Sequence, residues 1–143
     1  MSNPSSNGFP IIDVTVEPGI EPYWDAAAED RLLLSRCPVD GQVLWPPRSF
    51  CPRHMGGAVE WVPSEGRGEV YSFTVVHRGE GPFARSAPYV LAYVQLKEGP
   101  RILTNIVTAE GNSATSAQMG QEVVAHFDHE VDGVPILRFA VAH

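Results

Sequence analysis

The stretch GEVYSFTVVHRGEGPFARSAPYVLAYVQLKEGPRILTNIV, residues 68–107, decides the fold. It holds three runs rich in Val, Ile, Leu, Tyr, Phe and Thr: Gly68 to His77, Tyr89 to Leu96 and Arg101 to Val107. Each is bounded by turn residues, so each reads as a strand. Lys97-Glu98-Gly99-Pro100 is a tight connection between the second and third. Downstream, Glu122 to His129 and Val134 to Val141 repeat the pattern around Val131-Asp132-Gly133. Residues 109–119 form a longer polar loop. Five short strands, with hairpins early and late and a long break before the fourth, predict a small barrel of the OB type. An open sandwich is the alternative, which strand length alone does not exclude. Gly66-Arg67-Gly68 is followed by no helix, so it is a bulge or turn at the start of a curled strand and not a phosphate loop.

Upstream of the barrel the character changes. Cys37-Pro38-Val39-Asp40 and Cys51-Pro52-Arg53-His54 are two pairs of ligand-capable residues at x2 spacing, set among prolines and glycines. One turn of this kind presents two side chains to a single ion, and two such turns complete a tetrahedron. Cys37, Asp40, Cys51 and His54 are therefore candidate metal ligands. Thiolate and imidazole together select zinc. A ribbon normally has cysteine at all four positions, so a second reading stands beside the first: a degenerate knuckle that keeps the fold without the ion. A Cys37–Cys51 disulfide is a third, disfavoured in a reducing compartment. Before the knuckles, Glu21 to Asp30 predicts a short helix, with Pro22 at its first turn and alanines at its centre. The expected mainly-β architecture is thus an arm (1–20), a helix plus ribbon (21–62) and an OB-type barrel (63–143).

Composition narrows the function. The chain has 143 residues and a formal net charge of -7, with Lys97 the sole lysine beside nine scattered arginines. A chain this acidic with no basic run repels phosphate backbones, so nucleic acid is not the expected partner. No apolar run reaches 18 residues, so no membrane helix is expected. The N-terminus lacks the basic and apolar regions of a signal peptide, which predicts a cytoplasmic protein.

Taken in order, several segments resemble a known family. They are Tyr23-Trp24 on the helix, Leu32-Leu33-Leu34-Ser35-Arg36-Cys37 with Asp40-Gly41, Pro46-Pro47-Arg48, Cys51-Pro52 and Glu60-Trp61. Gly66 to Val76, Pro88-Tyr89-Val90, Met119 to Val123 and Pro135 to Phe139 follow. Over roughly residues 21–141 the chain resembles the DUF35 family: an N-terminal helix, a rubredoxin-like zinc ribbon and a C-terminal OB-fold, associated with acyl-CoA. The resemblance implies a non-catalytic accessory subunit of a thiolase-like or lipid-transfer-type enzyme that makes or breaks C–C bonds in acyl-CoA. Retro-aldol cleavage of a steroid side chain is among the implied reactions, with a hydratase-like protein as a further partner. The CoA ester would then be met through the partner. Asp40 and His54, standing where the family has cysteines, are this chain's departures.

Other residues carry groups capable of chemistry or binding. Arg78 and Arg85 sit in the loop after the first barrel strand, where a guanidinium suits CoA phosphates. Tyr23 and Trp24 are expected partner contacts, because so short a helix has little core of its own. Trp45 and Trp61 read as core. On one strand His126 and Asp128 share a face, which reads as a solvated polar face. No serine lies in a nucleophile elbow, so no catalytic residue is expected. Two rival functions remain: a free-standing acyl-CoA-binding protein, and a single-stranded nucleic-acid barrel, which the charge opposes.

Overall fold

The computed structural model describes residues 9, 16–53, 58–129 and 135–142. Helix α1 spans Glu21–Ala27 and begins with Pro22 in its first turn. It buries Tyr23, Ala26 and Ala27, an i, i+3, i+4 stripe that turns one face inward. The N–H groups of Glu29, Asp30 and Arg31 fold back onto the carbonyls of Ala26 and Ala27. Asp30 then takes a left-handed φ of 61°, which stops the helix.

The apolar run after the helix is a strand, β1 (Leu33–Arg36). With β2 (Val43–Leu44) and β3 (Glu60–Pro63) it forms an antiparallel sheet in the order β2-β1-β3. This small sheet is the ribbon. Sequence periodicity left it unresolved because two- to four-residue strands are too short to show alternation.

The remaining five strands are β4 (Arg67–Val76), β5 (Tyr89–Leu96), β6 (Arg101–Val107), β7 (Glu122–Asp128) and β8 (Ile136–Val141). They close into a barrel in the order β4-β5-β6-β8-β7, with β7 returning to β4. All pairings are antiparallel except β6 with β8. This is the expected OB fold, and closure removes the open sandwich. The bulge lies inside β4, between Val70 and Ser72, not at Gly66-Arg67-Gly68. Gly68 has a different task. A Cβ there would lie 2.6 Å from the Gln95 carbonyl oxygen, so only glycine allows β4 to pass so close to β5.

One apolar core runs through both parts. Tyr23, Ala27, Leu32 and Leu34 belong to the same cluster as Val70, Val90, Val94, Ile102, Ile106 and Phe139, with Trp24, Trp45 and Trp61 packed against it. The expected arm lies mostly outside the described residues. Its Phe9 is buried beside Val107 and Ala140 at the barrel wall, so the chain itself covers that ring.

Candidate functional site

The knuckles bring Cys37 and Cys51 together. Both are buried thiols not joined in a disulfide, and a hydrogen bond links the two sulfurs. The turn after β1 is closed by Cys37 N–H donating to the Gln42 carbonyl and Gly41 N–H donating to the Cys37 carbonyl, each at 2.8 Å. Gly41 supplies the φ of 74° that this turn requires. Burial pushes the Cys37 thiol up, while the N–H groups of Asp40 and Val39, aimed at its sulfur, pull it down. A dry pocket with two thiols and N–H donors fits the thiolate half of a zinc knuckle. Asp40 lies beside the thiols: its carboxylate accepts a hydrogen bond from the Cys37 thiol. Its Oδ1 accepts the Gln42 N–H at 2.9 Å, and its Oδ2 lies 3.3 Å from Arg53 Nη2. His54 lies outside the described residues, and among the described residues no group of three or more metal-ligating side chains gathers.

Tyr23 is placed differently from the expected partner contact. Its ring is 5% exposed and packs edge-on against Trp24 and Trp45, and burial pushes its phenol up. The helix has core after all, because ribbon and barrel share theirs. Trp24 is half-buried, and its indole N–H has no partner among the described residues. Arg78 and Arg85 are both exposed on the β4–β5 loop. That loop folds back so tightly that a Cβ on Gly79 would lie 2.1 Å from the Phe83 carbonyl oxygen. The two arginines therefore flank one neck.

Three features escaped sequence reasoning. First, Asp128 is not on a solvated face. It is buried and accepts Arg138 Nε at 3.2 Å, while Arg138 Nη1 donates to Asn105 Oδ1 at 2.5 Å. Asn105 in turn donates to the Val90 carbonyl at 2.9 Å, and Phe9 lies 3.9 Å over the guanidinium. The arginine inside the apolar run Ile136-Leu137-Arg138-Phe139 was the available signal. Second, β5 is apolar on both sides. Val90, Ala92, Val94 and Leu96 point into the barrel, while Leu91 and Tyr93 point out. Tyr71 and Leu103 stand exposed on the neighbouring strands. Third, a groove of about 360 Å³ between ribbon and barrel is lined by Trp45, Arg48, Arg53, Pro100 and Arg101 among others. The guanidinium of Arg101 lies 3.9 Å over the Tyr71 ring, so groove and outer face meet there.

Comparison with known proteins adds an independent line. Residues 24–60 match the family described as ChsH2, rubredoxin-like zinc ribbon domain, and residues 61–128 match ChsH2, C-terminal OB-fold domain. A probable enoyl-CoA hydratase alpha subunit of Thermomonospora curvata is 36% identical over 83% of this chain, which spans only 37% of that protein's length. A DUF35 domain-containing scaffold protein of Methanocaldococcus jannaschii is 36% identical over 73% of each chain. A benzoylsuccinyl-CoA thiolase subunit of Thauera aromatica is 32% identical over 73% of this chain and 70% of its own. A solved structure of an Ltp2-ChsH2(DUF35) aldolase contains a chain that superposes with a TM-score of 0.73 at 30% identity, covering 92% of this chain and all of that one.

Proposed function

The chain belongs to the ChsH2-type DUF35 family, and on that ground we propose that it is a non-catalytic accessory subunit of an acyl-CoA enzyme that makes or breaks a C–C bond. The observation that carries the reading is the end-to-end match to a chain of an aldolase complex. Relatives named as a scaffold protein and as a thiolase subunit support it. In this reading the enzyme subunit is thiolase-like or of the lipid-transfer type and supplies nucleophile and base. A retro-aldol cleavage of a steroid side chain is the finer form of the proposal. In the same reading Arg78 and Arg85, both exposed on the β4–β5 loop, meet the phosphates of a CoA ester that the partner holds. The two thiols of the ribbon, where they bind zinc, hold a structural ion, and no chemical step passes through it.

The test is co-expression with the thiolase-like or lipid-transfer-type enzyme of the native host. The expected result is a stable complex whose enzyme subunit loses activity when this chain is omitted. An enzyme subunit fully active alone, which never copurifies with this chain, would overturn the reading. Turnover of a thioester by the purified chain alone would do so equally.

A further inference from the structure

We propose that the outward face of β4, β5 and β6 is where the enzyme subunit docks, and that the subunit meets it with an apolar centre rimmed by carboxylates. The inference rests on the accessory-subunit reading and says which surface serves it.

A barrel strand facing water ordinarily alternates apolar inside with polar outside. Here Tyr71, Leu91, Tyr93 and Leu103 are 52%, 37%, 45% and 53% exposed on three adjacent strands. Registers set them side by side: Tyr93 lies opposite Leu103 on one flank and Ser72 on the other, and Leu91 lies opposite Thr74. The remaining large exposed apolar side chains, Val16, Val39, Phe50 and Met119, belong to none of these three strands. Tyrosine and arginine over leucine is the composition of an interface centre, from which Lys, Glu and Asp are depleted. That depletion holds over the patch, and Glu69 near the start of β4 is the one acidic residue of the three strands. Neither β5 nor β6 contains an acidic residue, and β4 contains none from Tyr71 on.

Charge says what covers the face. Arg31, Arg36, Arg53, Arg67, Lys97 and Arg138 each pair with a carboxylate of the chain. Arg48 and Arg101 have no carboxylate partner among the described residues, and both line the groove that borders this face. Arg101 is held ready: its Nε donates to Gln95 Oε1 at 2.9 Å, and its plane lies over Tyr71. In a chain of net charge -7, two uncommitted guanidinium groups beside an apolar patch call for carboxylates from outside. On this face a second copy offers a single carboxylate among the described residues, Glu69 near the start of β4, to answer two guanidinium groups. A nucleic-acid strand needs a line of cations along the face, which carries Arg101 and Arg67, the second already paired with Glu122. A standard interface covers ~800 Å² of each partner, with an apolar centre and a polar rim; four apolar side chains edged by arginine fit the centre of one.

The experiment uses the full chain and the purified enzyme subunit of the co-expression test, with affinity measured by calorimetry. Leu103→Asp is expected to weaken binding at least ~30-fold, the effect of a central interface residue. Val39→Asp, a more exposed change on the ribbon turn, is expected to leave it within a few-fold. Arg48→Glu with Arg101→Glu is expected to slow association and flatten its salt dependence. Circular dichroism checks that each variant is folded, and Leu103→Ala, which adds no charge, stands in for any that is not. Wild-type affinity in Leu103→Asp, or an equal loss in Val39→Asp, overturns the surface while leaving the accessory-subunit reading intact. Absence of binding by the wild-type chain overturns that reading instead. Two further outcomes assign the face to another occupant and overturn the proposal: self-association of the chain that Leu103→Asp abolishes in ultracentrifugation, and binding of oligo-dT that it abolishes.

Discussion

Arg138 is the residue whose placement is most costly to get wrong. Its guanidinium and the Asp128 carboxylate are 3% and 2% exposed, so neither charge has water to fall back on. Burial lowers the affinity of Arg138 for its proton, and the Asp128 charge offsets this only in part. Removing one member of such a pair strands the other. Asp128→Ala is therefore expected to destabilise the chain by ~3–5 kcal/mol in urea unfolding. A loss below ~1 kcal/mol, the size for an exposed pair, would show that the carboxylate is solvated. The sequence showed Asp128 beside His126 and His129 and so suggested a wet face. What it could not show was that β8 brings Arg138 across to Asp128, because cross-strand neighbours depend on register. The same gap explains Asp40. Its spacing from Cys37 is that of a ligand, and what spacing does not show is that Arg53 and the Gln42 N–H share its carboxylate with the Cys37 thiol.

At the scale of elements, the five barrel strands were legible because each is a β-branched or aromatic run closed by glycine or proline. Structural bounds differ from the expected ones by two residues at most. The ribbon strands were illegible for the opposite reason. Their length is set by tertiary pairing, not by local pattern. Helix α1 shows how this matters. Seven residues are too few to be stable alone, so the helix persists through the face it buries. Tyr23 is the largest group on that face, and its contacts are with Trp24 and Trp45. Tyr23→Ala is expected to cost ~3–5 kcal/mol of stability, as for a buried aromatic. Tyr23→Phe keeps the ring and is expected to melt within ~1 kcal/mol of the wild type, since no hydrogen bond to its hydroxyl is present among the described residues. If Tyr23→Ala left stability unchanged and weakened only complex formation, the residue would be the partner contact that its short helix suggested.

At the scale of the molecule, ribbon and barrel are distinct as families and as sheets, yet they do not have separate cores. Leu32 and Leu34 of the ribbon side are buried in the cluster that includes Val94 and Phe139 of the barrel. His129 at the end of β7 also reaches Asp30 beyond the helix, at 2.5 Å. A chain of this size with one continuous core is expected to unfold as a unit. The protein carries its own test, because Trp24, Trp45 and Trp61 all lie in or beside the ribbon, whereas most of the strand content is in the barrel. Tryptophan fluorescence then reports one half and far-ultraviolet circular dichroism reports mainly the other. The two thermal transitions should coincide, and Tyr23→Ala should move both by the same amount. A fluorescence midpoint several degrees below the dichroism midpoint would mean that the ribbon melts off an intact barrel. A scaffold built as one body presents the ribbon groove and the outer face of β4, β5 and β6 to a partner at a fixed angle. A scaffold with a loose ribbon would have to order it on binding, at a cost in affinity.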